Sequence, residues 1–379
     1  MGKTRVALIR CDSYSGEKVV ESIKAAIDLL GGAQAFIPED RTVLIKPNML
    51  SPYAPSRAVT THPEVVAATA GLFKQAGADV IVGDSPGRGD TLSVAEKCGI
   101  ASACSSLGIP IVPFEDGVSV KHPAGHICKE FILARPVLEA GSLINVAKMK
   151  THGFMTYTGA VKNLFGCISG LQKMKMHLRY NDPDAFSQML LDLLTLIKPR
   201  LSLVDAVIAM DGDGPSHGRI RPVGAILASD DAVAIDAVSL RLVNCDPVQV
   251  PYLRVARDLG IGNTKPEEIE IIGDSPENFH ITDFEIPPAT RATSGIFKMI
   301  KGIRGYFTAH PRVDPSICVG CRACAASCPP QAIKMSTDAK AIIDDKTCIR
   351  CFCCHEMCPE GAISLSRGFL ARLAERVLK

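Results

Sequence analysis

Two runs of four cysteines near the C-terminus constrain the fold of this chain more than any other feature of its sequence. Each run has the spacing Cys-x2-Cys-x2-Cys-x3-Cys and is followed directly by a proline. The second run repeats the first after 30 residues, and Val313-Asp314 recurs as Ile343-Asp344. The runs comprise Cys318, Cys321, Cys324, Cys328 and Pro329, then Cys348, Cys351, Cys354, Cys358 and Pro359. Two copies of one unit predict a single pseudo-symmetric module.

This spacing resembles that of bacterial ferredoxins that carry two 4Fe-4S clusters. In those proteins three closely spaced cysteines of one run bind one cluster, and the cysteine before the proline turns to the other cluster. The resemblance therefore implies two crossed ligand sets. Cluster I would take Cys318, Cys321, Cys324 and Cys358, and cluster II would take Cys348, Cys351, Cys354 and Cys328. A pair of zinc sites is the alternative, although zinc sites usually use separated CxxC pairs.

Seven further cysteines lie outside these sets. Cys353 has Ala323 as its counterpart in the repeat, which favours a packed or bystander thiol over a ligand. Cys167 lies between Gly166 and a Ser-Gly pair and has no assigned role. The other five are interpreted as small buried hydrophobic residues: Cys11, Cys98, Cys104, Cys128 and Cys245.

The composition is that of a globular protein with more than one domain. The chain has 379 residues, of which 47% are hydrophobic and 22% charged, so neither disorder nor a fibrous repeat fits. The net charge of +2 divides unevenly, with 28 Lys and Arg against 33 Asp and Glu in residues 1–290, and 14 against 7 in residues 291–379. Because thiolate-bound clusters are negatively charged, the basic tail compensates them in part, and nucleic-acid binding is not predicted.

The N-terminus begins with charged and polar residues rather than a secretory signal. No stretch approaches the roughly 18 apolar residues of a membrane span. We therefore expect a cytoplasmic protein, in which cysteines serve metal or redox chemistry rather than disulfides.

Short β-rich runs alternate with helical patterns over residues 1–290, which predicts a doubly wound, largely parallel α/β body. The predicted strands are Val6 to Ile9, Thr42 to Lys46, Val80 to Val82, Ile109 to Val112, Ser142 to Ala147, Leu201 to Ala209 and Ile269 to Ile272. The predicted helices include Glu17 to Leu30 and Glu64 to Ala76. The remaining predicted units are a basic linker at 291–312, a small α+β two-cluster ferredoxin domain at 313–366, and an amphipathic helix at 367–379. The linker carries Lys298, Lys301, Arg304 and Arg312, which solvate it or steer an acidic partner.

Polar residues follow the predicted strands, at the edge where ligands bind in open α/β sheets. Lys46-Pro47-Asn48, Gly83-Asp84 and the segment Lys148 to His152 each come after a strand, and Lys162-Asn163 lies in a glycine-rich stretch further on. We expect one crevice to collect these side chains. The sequence lacks the Gly-x-Gly-x2-Gly spacing of a dinucleotide-binding unit, so NAD binding is not predicted.

At these positions the chain resembles the domain-of-unknown-function family numbered 362. The resemblance covers about residues 1–250 and rests on Lys46-Pro47-Asn48, Thr60 to Pro63, Gly83-Asp84, Lys150-x-His152, Lys162-Asn163-x2-Gly166 and Gly214-Pro215-x2-Gly218. Members are often fused to a C-terminal two-cluster ferredoxin and are described as iron-sulfur proteins of mostly anaerobic prokaryotes. The resemblance implies a redox role and supplies no reaction.

The leading hypothesis is an oxidoreductase that passes electrons from an external carrier, through the ferredoxin domain, to a small anionic substrate in the crevice. Asn48 and Asn163 would orient the anion, and His152 and Lys162 would be the catalytic residues, with His152 moving a proton. The lysines that would hold the anion are Lys46, Lys148, Lys150 and Lys162. Each lysine could instead be solvated, and His152 could be structural. The alternative function is a non-catalytic electron carrier or assembly factor that docks on a partner protein.

Overall fold

The N-terminal body is built on an eight-stranded sheet. In the computed structural model, which describes residues 2–170, 172–279, 281–287 and 309–366, these strands run in the order β10-β1-β9-β8-β6-β2-β3, and β7 pairs with β6. The body strands are β1 (Thr4–Arg10), β2 (Thr42–Pro47), β3 (Asp79–Val82), β4 (Gly117–Lys121), β5 (Glu130–Ala134), β6 (Ser142–His152), β7 (Thr156–Thr158), β8 (Leu201–Asp211), β9 (Arg219–Ser229) and β10 (Ile269–Gly273). Strands β4 and β5 form a separate antiparallel pair.

The sheet is mostly parallel, as expected from the sequence. Strands β3, β2, β6 and β8 are parallel neighbours, and β1 is parallel to β10. Strand β9 lies between β1 and β8 and is antiparallel to both. The carboxyl ends of β2, β3, β6 and β8 therefore meet at one edge of the sheet, which is called the crevice below.

Helices cover both faces of the sheet. They are α1 (Gly16–Asp28), α2 (Pro63–Gln75), α3 (Thr91–Lys97), α4 (Ile100–Ser105), α5 (Arg135–Glu139), α6 (Ala160–Asn163), α7 (Gln172–Arg179), α8 (Pro183–Ile197), α9 (Ala232–Arg241) and α10 (Pro251–Leu259). Helices α1 to α4 contribute to one buried cluster, and α6 to α10 contribute to another. In β1, Val6 and Leu8 face the second cluster and Ala7 the first, because side chains alternate along a strand. The predicted doubly wound α/β fold is confirmed.

Two predicted strands differ from the structure, and one long strand of the sheet was not predicted. Strand β6 was expected to end at Ala147 but continues to His152, because β8 and β7 pair with its polar end. The region Ile109 to Val112 contributes one isolated bridge, between Ile111 and Val82, instead of a strand. Strand β9 was not predicted. Its first four residues, Arg219 to Pro222, include two arginines and a proline and are mostly exposed, so they lack the pattern of a buried strand.

The C-terminal module consists of two similar halves. Its elements are β11 (His310–Val313), α11 (Ala323–Ala326), β12 (Ile333–Met335), β13 (Ala341–Ile343), α12 (Cys353–Met357) and β14 (Ile363–Ser366). Strand β11 pairs with β14, and β12 pairs with β13. The backbone bonds repeat as well, because Asp314 N donates to Ala362 O and Asp344 N donates to Ala332 O, both at 2.8 Å. The 30-residue repeat thus forms a pseudo-symmetric module of small antiparallel sheets.

The domain boundaries given above remain predictions, although β11 begins at His310, within the last residues of the predicted linker. Arg312 lies in β11 and contacts Asp345 at 3.0 Å. Lys298, Lys301 and Arg304 of the predicted linker, and the predicted helix at 367–379, lie outside the described residues.

Candidate functional site

The polar end of β6 carries three buried side chains into the crevice. Lys148, Lys150 and His152 occupy alternate positions of the strand and are only 2%, 1% and 1% exposed. A register shift relative to β8 lies between Lys148 and Lys150. Burial of a lysine is costly without a partner. The contacts of each lysine therefore show whether its charge is balanced within the protein or is left for a ligand.

Two crevice lysines have carboxylate partners. Lys46, at the end of β2, lies 2.7 Å from Asp84, which also accepts the backbone N–H of Met49 at 2.7 Å. Lys148 donates to Asp205 at 2.9 Å and to the Tyr14 hydroxyl at 2.7 Å. The positive charge of each of these lysines is therefore balanced by a carboxylate of the protein itself.

A glycine allows the first of these pairs to form. A Cβ atom on Gly166 would lie 2.0 Å from Oδ1 of Asp84 and 2.8 Å from Nζ of Lys46. The segment after Asn163 can therefore pass over the Lys46–Asp84 pair only because residue 166 has no side chain. This is a physical reason for the Lys162-Asn163-x2-Gly166 pattern.

Lys150 is buried without a carboxylate contact from any residue that the structure describes. Its ammonium group donates to Oδ1 of Asn48 at 3.0 Å and to the carbonyl of Val59 at 2.6 Å. Burial, together with the nearby positive charges of Lys162 and Lys148, lowers the pKa of Lys150 well below its ordinary value.

A chain of amides fixes the side chains beside Lys150. Asn48 donates from Nδ2 to Oδ1 of Asn163 at 3.0 Å, and Asn163 donates to Oδ1 of Asn145 at 2.8 Å. Since Lys150 can only donate, its bond to Asn48 sets the orientation of every amide in the chain.

A cavity of about 410 Å³ lies between the crevice and the C-terminal module. Its walls include Asn48, Lys150, His152, Lys162 and Asn163 from the body. Its roof is formed by helices α11 and α12 of the module. The volume is in the range of small-molecule sites.

The roof uses equivalent positions of the two repeats. The lining residues of α11 and its end correspond, 30 residues later, to the lining residues of α12, and the three pairs are Ala323 with Cys353, Ala326 with Glu356, and Ser327 with Met357. The cavity thus lies across the pseudo-symmetry of the module. The first half contributes small side chains to the roof, and the second half contributes larger and more polarisable ones.

His152 joins the crevice to the roof. Its Nδ1 atom accepts the backbone N–H groups of Phe154 at 3.0 Å and Met155 at 3.2 Å, which places the proton of a neutral imidazole on Nε2. Nε2 lies 2.9 Å from Oε1 of Glu356 in α12. Burial lowers the pKa of His152 to about 4, with a further lowering by Lys162.

Glu356 is ionised in this arrangement. Burial raises its pKa, but His152, Lys162 and His177 together lower it below its ordinary range. A neutral His152 that presents its Nε2 proton to an ionised Glu356 agrees with both directions.

Two more lysines line the cavity. Lys162 is half-buried, and its ammonium group lies 5.9 Å from the centre of the Phe165 ring. Lys173 donates to the carbonyls of Ser85 and Pro86, the latter at 2.7 Å. Burial lowers the pKa of Lys173 to about 7. Lys173 can therefore change its charge near neutral pH.

The second half of the module is docked firmly on the body. Ser216 donates to the carbonyl of Glu356 at 3.1 Å, and Nε2 of His217 lies 2.7 Å from the carbonyl of Cys358. His355 is fully buried, and its Nε2 lies 3.0 Å from Asp213. These contacts hold α12 over the cavity.

The eight cysteines of the two runs form two neighbourhoods that each combine both runs. A small second cavity is lined by Cys318, Cys321, Cys324 and Cys358. Burial and the neighbouring Cys358, Cys321 and Cys318 raise the pKa of the Cys324 thiol to about 11. In the other neighbourhood, burial and the nearby Cys351 and Cys348 raise the pKa of Cys328.

Backbone donors reach the sulfur atoms in a repeated pattern. Ala332 N donates to Sγ of Cys328 and Ala362 N donates to Sγ of Cys358, both at 3.2 Å. Bonds of this kind stabilise thiolates and tune the potential of a bound cluster. The thiol sets, the sulfur-directed donors and the cavity between four cysteines all fit 4Fe-4S clusters.

Comparison with known families agrees with this arrangement. The family described as "Domain of unknown function (DUF362)" matches residues 43–241, and a 4Fe-4S dicluster domain matches residues 310–359. The thylakoid-associated protein sll1697 of Synechocystis sp. is 35% identical over 301 residues, which cover 76% of this chain and 92% of that protein.

The chain belongs to the DUF362 family. It combines the DUF362 domain with an iron-sulfur domain of the 4Fe-4S ferredoxin type. The crevice lysines and His152 lie within the first match, and all eight cysteines of the two runs lie within the second.

Among solved structures, the lactate racemase apoprotein from Thermoanaerobacterium thermosaccharolyticum shares 14% identity with this chain at a TM-score of 0.40. The match covers 61% of this chain and 55% of that protein, so it spans about half the length of the racemase. Within the described residues of the DUF362 protein, no helix has the length and apolar character required to cross a membrane.

The structure separates the site residues predicted from the sequence into two groups. Asn48, Lys150, His152, Lys162 and Asn163 line the large cavity of the DUF362 protein. The other two predicted anion-binding residues lie beside it and hold Asp84 and Asp205; they are Lys46 and Lys148.

Three charged cavity residues were not among the sequence candidates: Arg88, Lys173 and Glu356. Lys173 lies in the segment QKMKMHLR, which has the charge pattern of a solvated helix. Glu356 lies between two cysteines of the second run, a segment interpreted only in terms of its cluster ligands. A comparison of the repeats could have drawn attention to Glu356, because its counterpart is the small residue Ala326.

Proposed function

We propose that this DUF362 protein is an oxidoreductase that transfers electrons from an external one-electron carrier to a small anionic substrate in the 410 Å³ cavity. The observation that carries the proposal is the composition of that cavity. Buried lysines of the body form its walls, and the two helices that contain cluster cysteines form its roof.

The proposed cofactors are two 4Fe-4S clusters, which when bound supply single electrons. Cluster I would be held by Cys318, Cys321, Cys324 and Cys358, and cluster II by Cys348, Cys351, Cys354 and Cys328. The two thiol neighbourhoods described above support this crossed assignment.

The substrate anion would be held by two cavity lysines that make no direct ion pair within the described residues. Lys150 and Lys162, which line the cavity, and the amides of Asn48 and Asn163 are the groups that would bind and orient it. Lys46 and Lys148 are assigned a different role in this proposal, which is to balance the buried charges of Asp84 and Asp205.

Proton delivery would fall to the cavity lysines rather than to an imidazolium. His152 can form a cation only by losing the two backbone bonds to Nδ1, so we assign it the positioning of Glu356. Burial lowers the pKa of Lys162, and it lowers that of Lys173 to about 7, so Lys173 can release a proton near neutral pH.

Reduction of the substrate by two electrons would consume two protons from these groups and two equivalents of reduced carrier. The carrier is a redox partner protein or small one-electron donor outside this chain. A cytoplasmic location remains a prediction.

Single-turnover reoxidation tests this function. The holoprotein is reduced under argon with a viologen, freed of excess reductant and mixed with individual small carboxylates, while the visible absorbance of the clusters is followed. We expect one compound to restore the oxidised spectrum, and the Lys162→Met variant to do so at least about tenfold more slowly. Lys175→Met is the matched control, because Lys175 is exposed on α7.

If no carboxylate reoxidises the reduced protein, while a partner protein forms a stoichiometric complex without turnover, the protein is instead a carrier or assembly factor.

The crossed cysteine ligand sets of the two clusters can be tested separately by double substitution. The Cys318→Ser and Cys358→Ser changes together should remove no more iron than either alone, whereas Cys318→Ser with Cys348→Ser should affect both clusters. Additive loss for the first pair would reject the crossed assignment.

A further inference from the structure

The charges that line the large cavity do not balance. Lys46, just behind the wall, neutralises Asp84, and Lys162 is the lysine whose charge acts most strongly on Glu356. After these assignments, two lining lysines have no carboxylate assigned to them: Lys150 and Lys173. Arg88 also lines the cavity, and its guanidinium lies 5.5 Å from the centre of the Tyr53 ring.

Among the residues that the structure describes, both of these lysines donate to neutral oxygen atoms only. Lys150 binds the side-chain oxygen of Asn48 and the carbonyl of Val59. Lys173 binds the carbonyls of Ser85 and Pro86. Each ammonium group has three N–H donors, so each keeps one donor for a further partner.

Burial is costly for both groups, and the nearby carboxylates offset this cost only in part: Asp84 acts on both lysines, and Glu356 acts on Lys150. The pKa of Lys150 is lowered well below its ordinary value, and that of Lys173 is lowered to about 7, in both cases mainly through burial. A negatively charged partner in the cavity would reverse this cost for each lysine.

The two lysines lie on different walls of the cavity. Lys150 extends from β6 at the sheet edge, and Lys173 extends from α7, against the loop that follows β3. Apolar side chains complete the walls; they include Leu50, Phe165, Met174 and Met357. The site therefore offers two separate cationic points with apolar surface around them.

We propose that the cavity binds a small dicarboxylate with an apolar carbon skeleton, with one carboxylate at Lys150 and the other at Lys173. The proposal rests on the function proposed above for the same cavity and specifies the class of its substrate. A single phosphate also carries two charges, but both lie on one phosphorus centre, whereas a dicarboxylate carries its two charges on separate groups.

Titration calorimetry on the oxidised holoprotein tests this assignment with three probes: isophthalate, benzoate and inorganic phosphate. Isophthalate and benzoate share one apolar ring and differ by one carboxylate. We expect isophthalate to bind at least about tenfold more tightly than benzoate, because a hydrogen bond between charged groups adds affinity of this order. Phosphate should bind more weakly than isophthalate.

Variants locate the second carboxylate. In Lys173→Met, the affinity for isophthalate should fall to that for benzoate, while the affinity for benzoate stays within about twofold of the original value. Lys175→Met, on the exposed side of the same helix, should leave both affinities unchanged.

Equal binding of isophthalate and benzoate to the unchanged protein would overturn the proposal, as would tightest binding of phosphate. An equal loss of both probes in Lys173→Met, with the cluster content intact, would also overturn it. The proposed function fails in a different way. If isophthalate binds as expected but no dicarboxylate reoxidises the reduced protein, the ligand class is supported and the oxidoreductase function is not.

Discussion

The crevice contains two kinds of buried lysine, and the difference between them separates stability from function. Lys46 and Lys148 contact the carboxylates of Asp84 and Asp205 at 2.7 and 2.9 Å. Lys150, two residues after Lys148, is as deeply buried. Within the described residues its ammonium group contacts only neutral oxygen atoms. All three lie at the carboxyl ends of parallel strands.

The comparison shows that position in the fold does not define a binding residue. A lysine with an internal counter-ion is already satisfied, and its removal leaves a buried negative charge. A lysine without one is stabilised only when a ligand arrives. The paired lysines should therefore control folding, and the unpaired ones should control ligand binding.

The largest expected effect is the loss of a carboxylate from a paired lysine. Asp84→Asn and Asp205→Asn should each lower the free energy of unfolding by about 3–5 kcal/mol, because each leaves a buried ammonium group without its counter-charge. The midpoint of thermal unfolding under argon measures this effect. Asp283→Asn is the control, since the Asp283 side chain is 74% exposed beside Arg221 and its replacement should leave the midpoint nearly unchanged. A small change in both buried variants would remove the distinction between the two kinds of lysine.

The next effect concerns an unpaired lysine. Lys150→Met should leave the free energy of unfolding unchanged within about 1 kcal/mol or raise it, because a costly buried charge is replaced by an apolar chain of similar length. The affinity for isophthalate should fall at least about tenfold in the same variant. Thermal unfolding and calorimetry report the two quantities. A large loss of stability with unchanged binding would reverse the roles assigned to the lysines.

A third effect is the dependence of ligand affinity on pH. Lys173 has a pKa of about 7 and faces Asp84, Lys46, Cys167 and Lys162. Below pH 7 it is charged before an anion binds, whereas above pH 7 binding must take up a proton. The affinity for isophthalate should therefore be constant below about pH 7 and fall by up to about tenfold per unit above it. Calorimetry between pH 6 and 9 checks this, and the dependence should weaken in Lys173→Met.

The same group has the opposite effect on the stability of the ligand-free protein. Between a folded pKa of about 7 and an unfolded value of 10.5, the unfolded chain binds the additional proton. The contribution of Lys173 to stability therefore rises with pH in this window. His152 and His177, with pKa values of about 4 and 3, stay neutral throughout this window and add no pH dependence to it. An affinity for isophthalate that increases with pH above about 7 would contradict the assignment of Lys173 to ligand binding.

The smallest expected effect is at His152. Gln at this position can keep a donor near the place of Nε2 and its contact with Glu356, whereas Asn is too short to do so. We expect His152→Asn to lower kcat by about tenfold with little change in KM, and His152→Gln to retain most of the activity. Equal rates for the two variants would show that His152 does not act through Glu356.

Much of this arrangement can be predicted from the sequence. The spacing of Cys318 to Cys358 predicts the ferredoxin-type module because cluster ligands need short, fixed separations along the chain. The alternation of β-rich and helical patterns predicts the parallel sheet, and topology then brings Lys46 and Lys150 to one edge.

The remaining features depend on pairing across the fold. Lys148 and Lys150 look alike in the sequence, and they differ because Asp205, 57 residues after Lys148, reaches only the first of them. Lys173 becomes a cavity residue only after α7 packs against the loop after β3. The contact of Glu356 with His152 requires the module to dock on the crevice, which no local pattern reports.

The central claim is that the lysine-rich cavity and the clusters form one functional unit. A reductive titration of the holoprotein followed by EPR, with and without saturating isophthalate, tests it most directly. A negatively charged ligand beneath the roof makes the addition of an electron less favourable, so we expect at least one midpoint potential to become more negative on binding. Lys150→Met should remove this shift. Midpoint potentials that stay the same in the presence of a bound dicarboxylate would contradict the claim.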